Sequence, residues 1–279
     1  MRLFDSHSHI DDKSFKHDFD EMLTRAYDAD IKAIMVVGIN PATTRQAIHL
    51  TKKYSHDNEH PGNNLKSLPR LFTSVGMHPH DAKKCSHDII EEFKVLAKQK
   101  CVKAWGETGL DFNRMHSPKE DQEKWFTEQI AAANELNLPM IFHERDSDGR
   151  FLEILKYAGH REKGGVVHCF SGSKEEMSQY LDLGYYIGIT GILTIEQRGR
   201  LLREIAVHIP DDRIVIETDA PYLTPAPMKN KTRRNEPAFV RHVMLKLAEI
   251  KGMDVESLAD IIWNNTCRLY GINELNDKK

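Results

Sequence analysis

An α/β fold, a closed (β/α)8 TIM barrel, is the architecture this sequence predicts, and three observations carry it. Eight short apolar runs of strand length recur along the chain, spaced by roughly 20 to 40 residues, which leaves room for a crossover helix each time. Helical patterns fill the intervals, and strands alternating with helices imply a parallel sheet covered by helices. Eight such units in 279 residues favour a closed barrel over an open sheet. An open doubly wound sheet is the second choice. No GxGxxG follows the first run, and no GxxxxGK precedes a Ser or Thr, which counts against its nucleotide-cofactor versions.

The runs lie at 2–4, 33–37, 71–75, 102–105, 140–142, 165–167, 185–189 and 214–216. After the first, Phe19, Met22, Leu23 and Ala26 fall at i, i+3, i+4 and i+7, one apolar helical stripe. Asn40-Pro41 predicts an N-cap with proline at the first helical position. Ser117-Pro118 repeats the device, with Glu120 closing a capping box before a stripe through Trp125, Phe126, Ile130 and Ala133. Ser173 with Glu176 forms another box, and Gly184 ends that helix. Two helical patterns follow the last run, over 237–250 and 255–270, the former closed by Gly252. The polar stretch 55–70 predicts an exposed loop, and the tail 273–279 is expected to fray. No linker divides the chain, so residues 1–279 are expected to form one domain.

With 39 basic against 42 acidic residues the net charge is −3, which excludes a protein coated in positive charge but not a local basic patch. Cys85, Cys101, Cys169 and Cys267 form no CxxC, so a reduced chain is expected rather than a disulfide scaffold. The first residues, Met1-Arg2-Leu3-Phe4-Asp5, carry no apolar h-region, so no secretory signal is expected; no run reaches membrane-spanning length, and a cytoplasmic protein without a membrane partner is expected.

Parallel barrels carry their active sites at the C-terminal ends of the strands. Run one leads into His7-Ser8-His9, an alternating pair that sends both imidazoles to one side. Run three leads to His78, run four to Glu107, run five to His143, run six to His168 and run eight to Asp219. Any one of these alone reads as a hydrogen-bonded structural histidine, a cap or a turn residue. Their convergence on one rim of one fold is what points to chemistry. Four histidines with two carboxylates make a nitrogen–oxygen donor set for one or two divalent ions.

The ordered motifs FDSHSHID, GMHPH, GETGLDF, FHERD, HCFSG, GITG, IETDAPYL and RRNEP closely resemble the TatD family of metal-dependent deoxyribonucleases, over roughly Leu3 to Gly271. The resemblance implies a TIM barrel of the amidohydrolase-like superfamily. It implies His7, His9, Glu107 and Asp219 as ligands of a first metal, and Glu107 as the bridge to a second held with His143 and His168. It also implies 3′→5′ exonuclease action.

A two-metal centre suits phosphodiester hydrolysis, with Asp219 orienting and deprotonating the attacking water and Glu107 bridging. His78 is a candidate contact to the scissile phosphate, the alternative being a structural histidine held by Pro79. Mg²⁺ or Mn²⁺ are the expected working ions, with Zn²⁺ or Ni²⁺ compatible with the ligands. The segment 229–235 is the most basic short stretch, and Arg233, Arg234, Arg114 and Arg145 are candidate substrate contacts. Tyr222, Phe112 and Phe170 are candidates to stack on bases. The overall acidic balance favours a small footprint, hence a monomer trimming single-stranded DNA or frayed 3′ ends. The alternative is an ester or amide hydrolase of the same superfamily, such as a D-aminoacyl-tRNA deacylase. Glu107 stands where the lysine-bridged branch of that superfamily places a carboxylated lysine.

Overall fold

The computed structural model describes residues 1–55, 67–159, 163–273 and 275. Its sheet runs β1 (Leu3–Ser8), β2 (Ile31–Val36), β3 (Arg70–Val75), β4 (Val102–Asp111), β5 (Met140–Arg145), β6 (Gly165–Val167), β7 (Tyr186–Ile189) and β8 (Ile214–Ile216). Neighbours in the chain are neighbours in the sheet, and every pair is parallel. The first and last strands meet at the C-terminal rim. There Ser8 bridges Ala220 in parallel, the Asp219 amide donates to His7 O (3.0 Å), and the His9 amide donates to Ala220 O (2.7 Å). This is the predicted (β/α)8 barrel.

Helices α1 (Phe19–Asp28), α2 (Pro41–Lys53), α3 (His87–Ala97), α4 (Lys119–Leu136), α5 (Arg150–Ala158), α6 (Lys174–Asp182) and α7 (Arg200–Ala206) supply the crossovers. After β8 come α8 (Ala226–Lys229), α9 (Val240–Lys251) and α10 (Val255–Leu269). The α1 stripe buries Met22, Leu23 and Ala26. Asn40 caps α2 by accepting from the Ala42 and Thr43 amides, and Ser173 and Glu176 form the expected reciprocal box. Gly252 ends α9 in the left-handed region (φ 62°), where its missing Cβ removes the steric cost.

Two expectations are corrected. The β4 strand does not stop near Trp105 but runs through Glu107 to Asp111. Gly106 (φ +142°) and Gly109 (φ +148°) make this possible, since a Cβ on Gly109 would lie 1.9 Å from His143 O. Ser117 does not cap α4: Pro118 holds that position with no side-chain cap. The Ser117 hydroxyl instead donates to His80 O (2.9 Å) and accepts from the Lys83 amide (3.0 Å), tying the loop after β4 to the loop after β3. Of the tail, only Asn273 and Leu275 are described, with Leu275 packed on the inner apolar cluster; the rest of the stretch expected to fray lies outside the described residues. Of the 55–70 stretch, 56–66 lie outside the described residues; Arg70 opens β3, so the stretch joins α2 to the N-terminal end of a strand.

Side-chain alternation splits the core in two. Leu3, Ile34, Val36 and Leu71 pack outward under the helices, whereas Phe4, Ala33, Met35, Phe72, Ala104, Ile141, Val166, Tyr186 and Val215 form a separate inner cluster. Helix α10 joins the inner cluster with Trp263 and Cys267, and Phe4 lies 6.0 Å from the Trp263 ring and 6.1 Å from that of Tyr270. The chain thus fills one end of the barrel with apolar side chains and leaves the other for polar ones.

Candidate metal centre

Every ligand candidate named from the sequence arrives at that polar rim. His7 lies inside β1 and His9 just beyond it, Glu107 lies inside β4, and His143 inside β5. His168 follows β6 directly, and Asp219 follows β8 by three residues with a left-handed backbone (φ 57°). His7 and His9 bring their Nε2 atoms to 3.2 Å from each other. His7 Nε2 stands 3.3 Å from Glu107 Oε2 and 3.8 Å from Asp219 Oδ1, and His9 Nε2 stands 3.7 and 3.5 Å from the same two atoms. Four ligands placed about 2.0–2.2 Å from a shared ion sit about 3.3–3.6 Å apart in tetrahedral geometry, so this donor set fits a divalent cation.

A second group shares the other oxygen of Glu107. His143 Nδ1 lies 2.7 Å and His168 Nε2 3.7 Å from Glu107 Oε1. Both triads, His7–His9–Glu107 and Glu107–His143–His168, group their donor atoms within 4.8 Å of one another. His7 and His168 stack ring on ring at 3.6 Å, which closes the gap between the two groups.

The electrostatics match. Burial by itself raises the Glu107 carboxyl, but the imidazoles of His78, His7 and His168 outweigh it and hold the group well below the usual carboxylate range. Burial likewise opposes ionisation of Asp219, and His9 with His168 reverses that. His9 and His143 lose stability as cations through burial yet are pushed up to about 9 by facing carboxylates, Asp219 for the first and Asp111 with Glu107 for the second. The carboxylates therefore demand positive charge, which protons on these two imidazoles supply when no metal is bound.

His78 caps the turn after β3 and is 8% exposed. Its Nδ1 accepts from the His80 amide (3.1 Å), which leaves Nε2 as the protonated nitrogen, and Nε2 points at Glu107 Oε1 from 3.4 Å. Burial pushes its basicity down to about 4, so it is a neutral donor rather than an acid.

Two carboxylates that the sequence reading left out of the site support it from outside. Glu217, fully buried, takes His168 Nδ1 at 2.8 Å and the Cys169 amide at 2.6 Å. Asp111 Oδ2 takes His143 Nε2 at 3.3 Å and His80 Nε2 at 2.7 Å, while its Oδ1 accepts from the Asn113 and Arg114 amides. Both sit inside motifs already noticed, in GETGLDF and IETDAPYL, so the available signal was an acid two or four residues from a ligand on an extended segment.

The substrate candidates divide. Arg114 is exposed and Arg145 half-buried on adjacent strand ends, joined by the Phe112 amide donating to Arg145 O (2.9 Å). Arg233 is exposed. Tyr222 is 56% exposed, with its ring edge-on to His9 at 6.2 Å. Arg234, by contrast, grips both oxygens of Asp18 at 2.7 and 2.6 Å and joins a structural ion network. Phe170 is 3% exposed and packs on Tyr180, so it offers no face to a base.

Comparison with known proteins agrees with this geometry. Residues 4–271 match the family described as TatD related DNase. The chain is 37% identical over 270 residues to the 3′-5′ ssDNA/RNA exonuclease TatD of Pectobacterium parmentieri, covering 96% of this chain and 99% of that protein. It is 35% identical to the uncharacterized metal-dependent hydrolase YabD of Bacillus subtilis, covering 97% and 100%. Among solved structures, a TatD family hydrolase from Entamoeba histolytica superposes with a TM-score of 0.85 at 25% identity, covering 97% of this chain and 98% of the other. The TatD homolog YJJV from Escherichia coli superposes at 0.84 with 26% identity over the same shares. With the motifs, the barrel and the rim of ligands all in agreement, this chain belongs to the TatD related DNase family.

Proposed function

We propose that the chain is a cytoplasmic, monomeric hydrolase that removes nucleotides from the 3′ ends of single-stranded DNA or RNA, using two divalent cations at the barrel rim. One observation carries the reading: Glu107 offers one oxygen to the His7–His9–Asp219 group and the other to the His143–His168 group. Two ions so held supply charge for the phosphoryl oxygens and lower the pKa of the attacking water. The polarity and the DNA or RNA substrate follow the name borne by the Pectobacterium relative.

The protein groups have separable tasks. Asp219, kept ionised, orients the attacking water and accepts its proton on its second oxygen. His78 donates from Nε2–H to a phosphoryl oxygen and holds its neutral form while doing so. Lys229, Lys231 and Arg233 are exposed after β8 and, with Arg114 and Arg145, meet the phosphates upstream of the cut. Tyr222 stacks on a terminal base beside His9.

The test incubates protein reconstituted with Mg²⁺ or Mn²⁺ with 5′-labelled single-stranded DNA and RNA, beside EDTA and a Glu107→Ala control. A ladder shortening from the 3′ end, absent in both controls, is expected. Intact nucleic acid with metal bound overturns the nuclease reading, and turnover of D-aminoacyl-tRNA or simple esters then identifies the other hydrolase class.

A further inference from the structure

Asp219 enters the site on a backbone that turns left-handed at the aspartate itself (φ 57°), a conformation that costs about 1 kcal/mol or more and must be held by its surroundings. The five carbonyls from Thr218 to Tyr222 are all taken. Asp219 O accepts from the Tyr222 amide (2.8 Å) and Ala220 O from the His9 amide (2.7 Å). The other three go to one residue. Asn235 donates its side-chain Nδ2 to Thr218 O (2.9 Å) and Tyr222 O (2.6 Å), and its backbone amide to Pro221 O (3.0 Å).

Asn235 is 1% exposed and has no part in the chemistry described above. Its side-chain Oδ1 accepts from the Glu236 amide (2.9 Å), so the amide group is oriented with both N–H bonds facing the turn. The residues on either side anchor it to α1. Arg234 holds Asp18 through two bonds, and Arg25 holds Glu236 from Nε (2.9 Å) and Nη2 (2.7 Å) while also reaching Asp18 (2.8 Å). A closed ring of two guanidinium groups and two carboxylates thus braces the residue that braces the turn.

We propose that Asn235 is the positioning residue of the Asp219 arm, holding its carboxylate opposite the His7–His9 pair and thereby setting the cation affinity of that half of the site. This rests on the two-cation reading given above.

The experiment uses full-length protein, wild type beside Asn235→Asp and Asn235→Ser. The first keeps the shape but puts one carboxylate oxygen opposite two carbonyls; the second removes both bonds without adding charge. In metal-free protein, amide exchange over 217–223 is expected to be as slow in wild type as over β5, and at least about tenfold faster in both variants with β5 unchanged. In Zn²⁺ titrations against a chelating dye, the variants are expected to lose about tenfold or more in affinity for one of two equivalents and to keep the other. With Mn²⁺ on single-stranded DNA, kcat is expected to fall about 10- to 100-fold with KM within about threefold. Rapid exchange of 217–223 in wild type, or variants that match wild type in exchange and in both Zn²⁺ affinities, overturns the proposal. If one variant fails to fold, the other and the wild-type exchange decide. Absence of Zn²⁺ uptake by wild type would instead sink the two-cation reading, leaving the exchange comparison to judge Asn235.

Discussion

Glu217, whose side chain has no solvent exposure, accepts at Oε1 from His168 Nδ1 at 2.8 Å. That contact fixes the His168 tautomer, so that Nε2 is the nitrogen presented to Glu107, and it makes the imidazole more basic toward a cation. Gly188 leaves the room: a Cβ there would stand 2.8 Å from Glu217 Oε1 and 2.9 Å from Oε2.

Glu217→Gln tests the relationship. The amide preserves the shape but weakens the acceptor, and disturbed outer partners of metal ligands typically cost about 10- to 100-fold in affinity or activity. The expected loss is in Zn²⁺ affinity for one equivalent, read by chelator competition. Unchanged affinity for both equivalents would show that Glu217 merely fills space.

Glu107 is the harsher case, because it serves both groups. Glu107→Gln removes the charge that both imidazole pairs answer, and the expected result is binding of fewer than two ions with turnover reduced by about 10³ or more. Metal content after dialysis, measured beside the rate, separates loss of ions from loss of chemistry. Two ions bound and normal turnover would remove Glu107 from the centre.

The sequence made the ligand candidates legible because each stands at the same end of a recognisable apolar run, as His168 after Val167 and Asp219 after Ile216 do. It hid what tertiary packing decides. Glu217 is a neighbour of Asp219 in the chain, but only the placement of β6 and β8 on either side of β7 shows that it serves His168. Asn235 lay in a stretch whose basic residues pointed to substrate contacts, while its own partners stand 13 to 17 residues earlier. Ser117 followed a common capping pattern, yet its hydroxyl is engaged by His80 and Lys83 from another loop. The same basic stretch also concealed that Arg234 faces Asp18 whereas Arg233 faces solvent.

Those two adjacent arginines should respond to alanine in opposite ways. Arg233→Ala is expected to raise KM for single-stranded DNA about 3- to 10-fold, more at low salt, with thermal stability unchanged. Arg234→Ala is expected to lower stability by about 1–2 kcal/mol, since it strips Asp18 of its bidentate partner. Melting curves and salt-dependent kinetics on both variants decide, and a destabilised Arg233→Ala protein would contradict the assignment.

The ion ring also sets an acid limit. Arg234 chiefly, then Arg25, holds the Asp18 carboxyl well below the usual carboxylate range, against the opposing effect of burial. A folded-state pKa below the unfolded one means the unfolded chain binds more protons in the intervening range, so stability falls as pH falls. The contribution is therefore complete above about pH 5, declines below the unfolded value of about 4, and is lost only once the folded carboxyl is protonated. Because the pair is partly exposed and screened, its worth is about 1 kcal/mol. Denaturant unfolding of metal-free wild type and Asp18→Asn, each from pH 7 to pH 2 in EDTA, isolates it. The stability gap is expected to be widest at neutral pH and to narrow steadily below pH 4. A gap that stays constant through the acid range would mean that Asp18 titrates as it does in the unfolded chain and that the ring carries no charge-dependent stability.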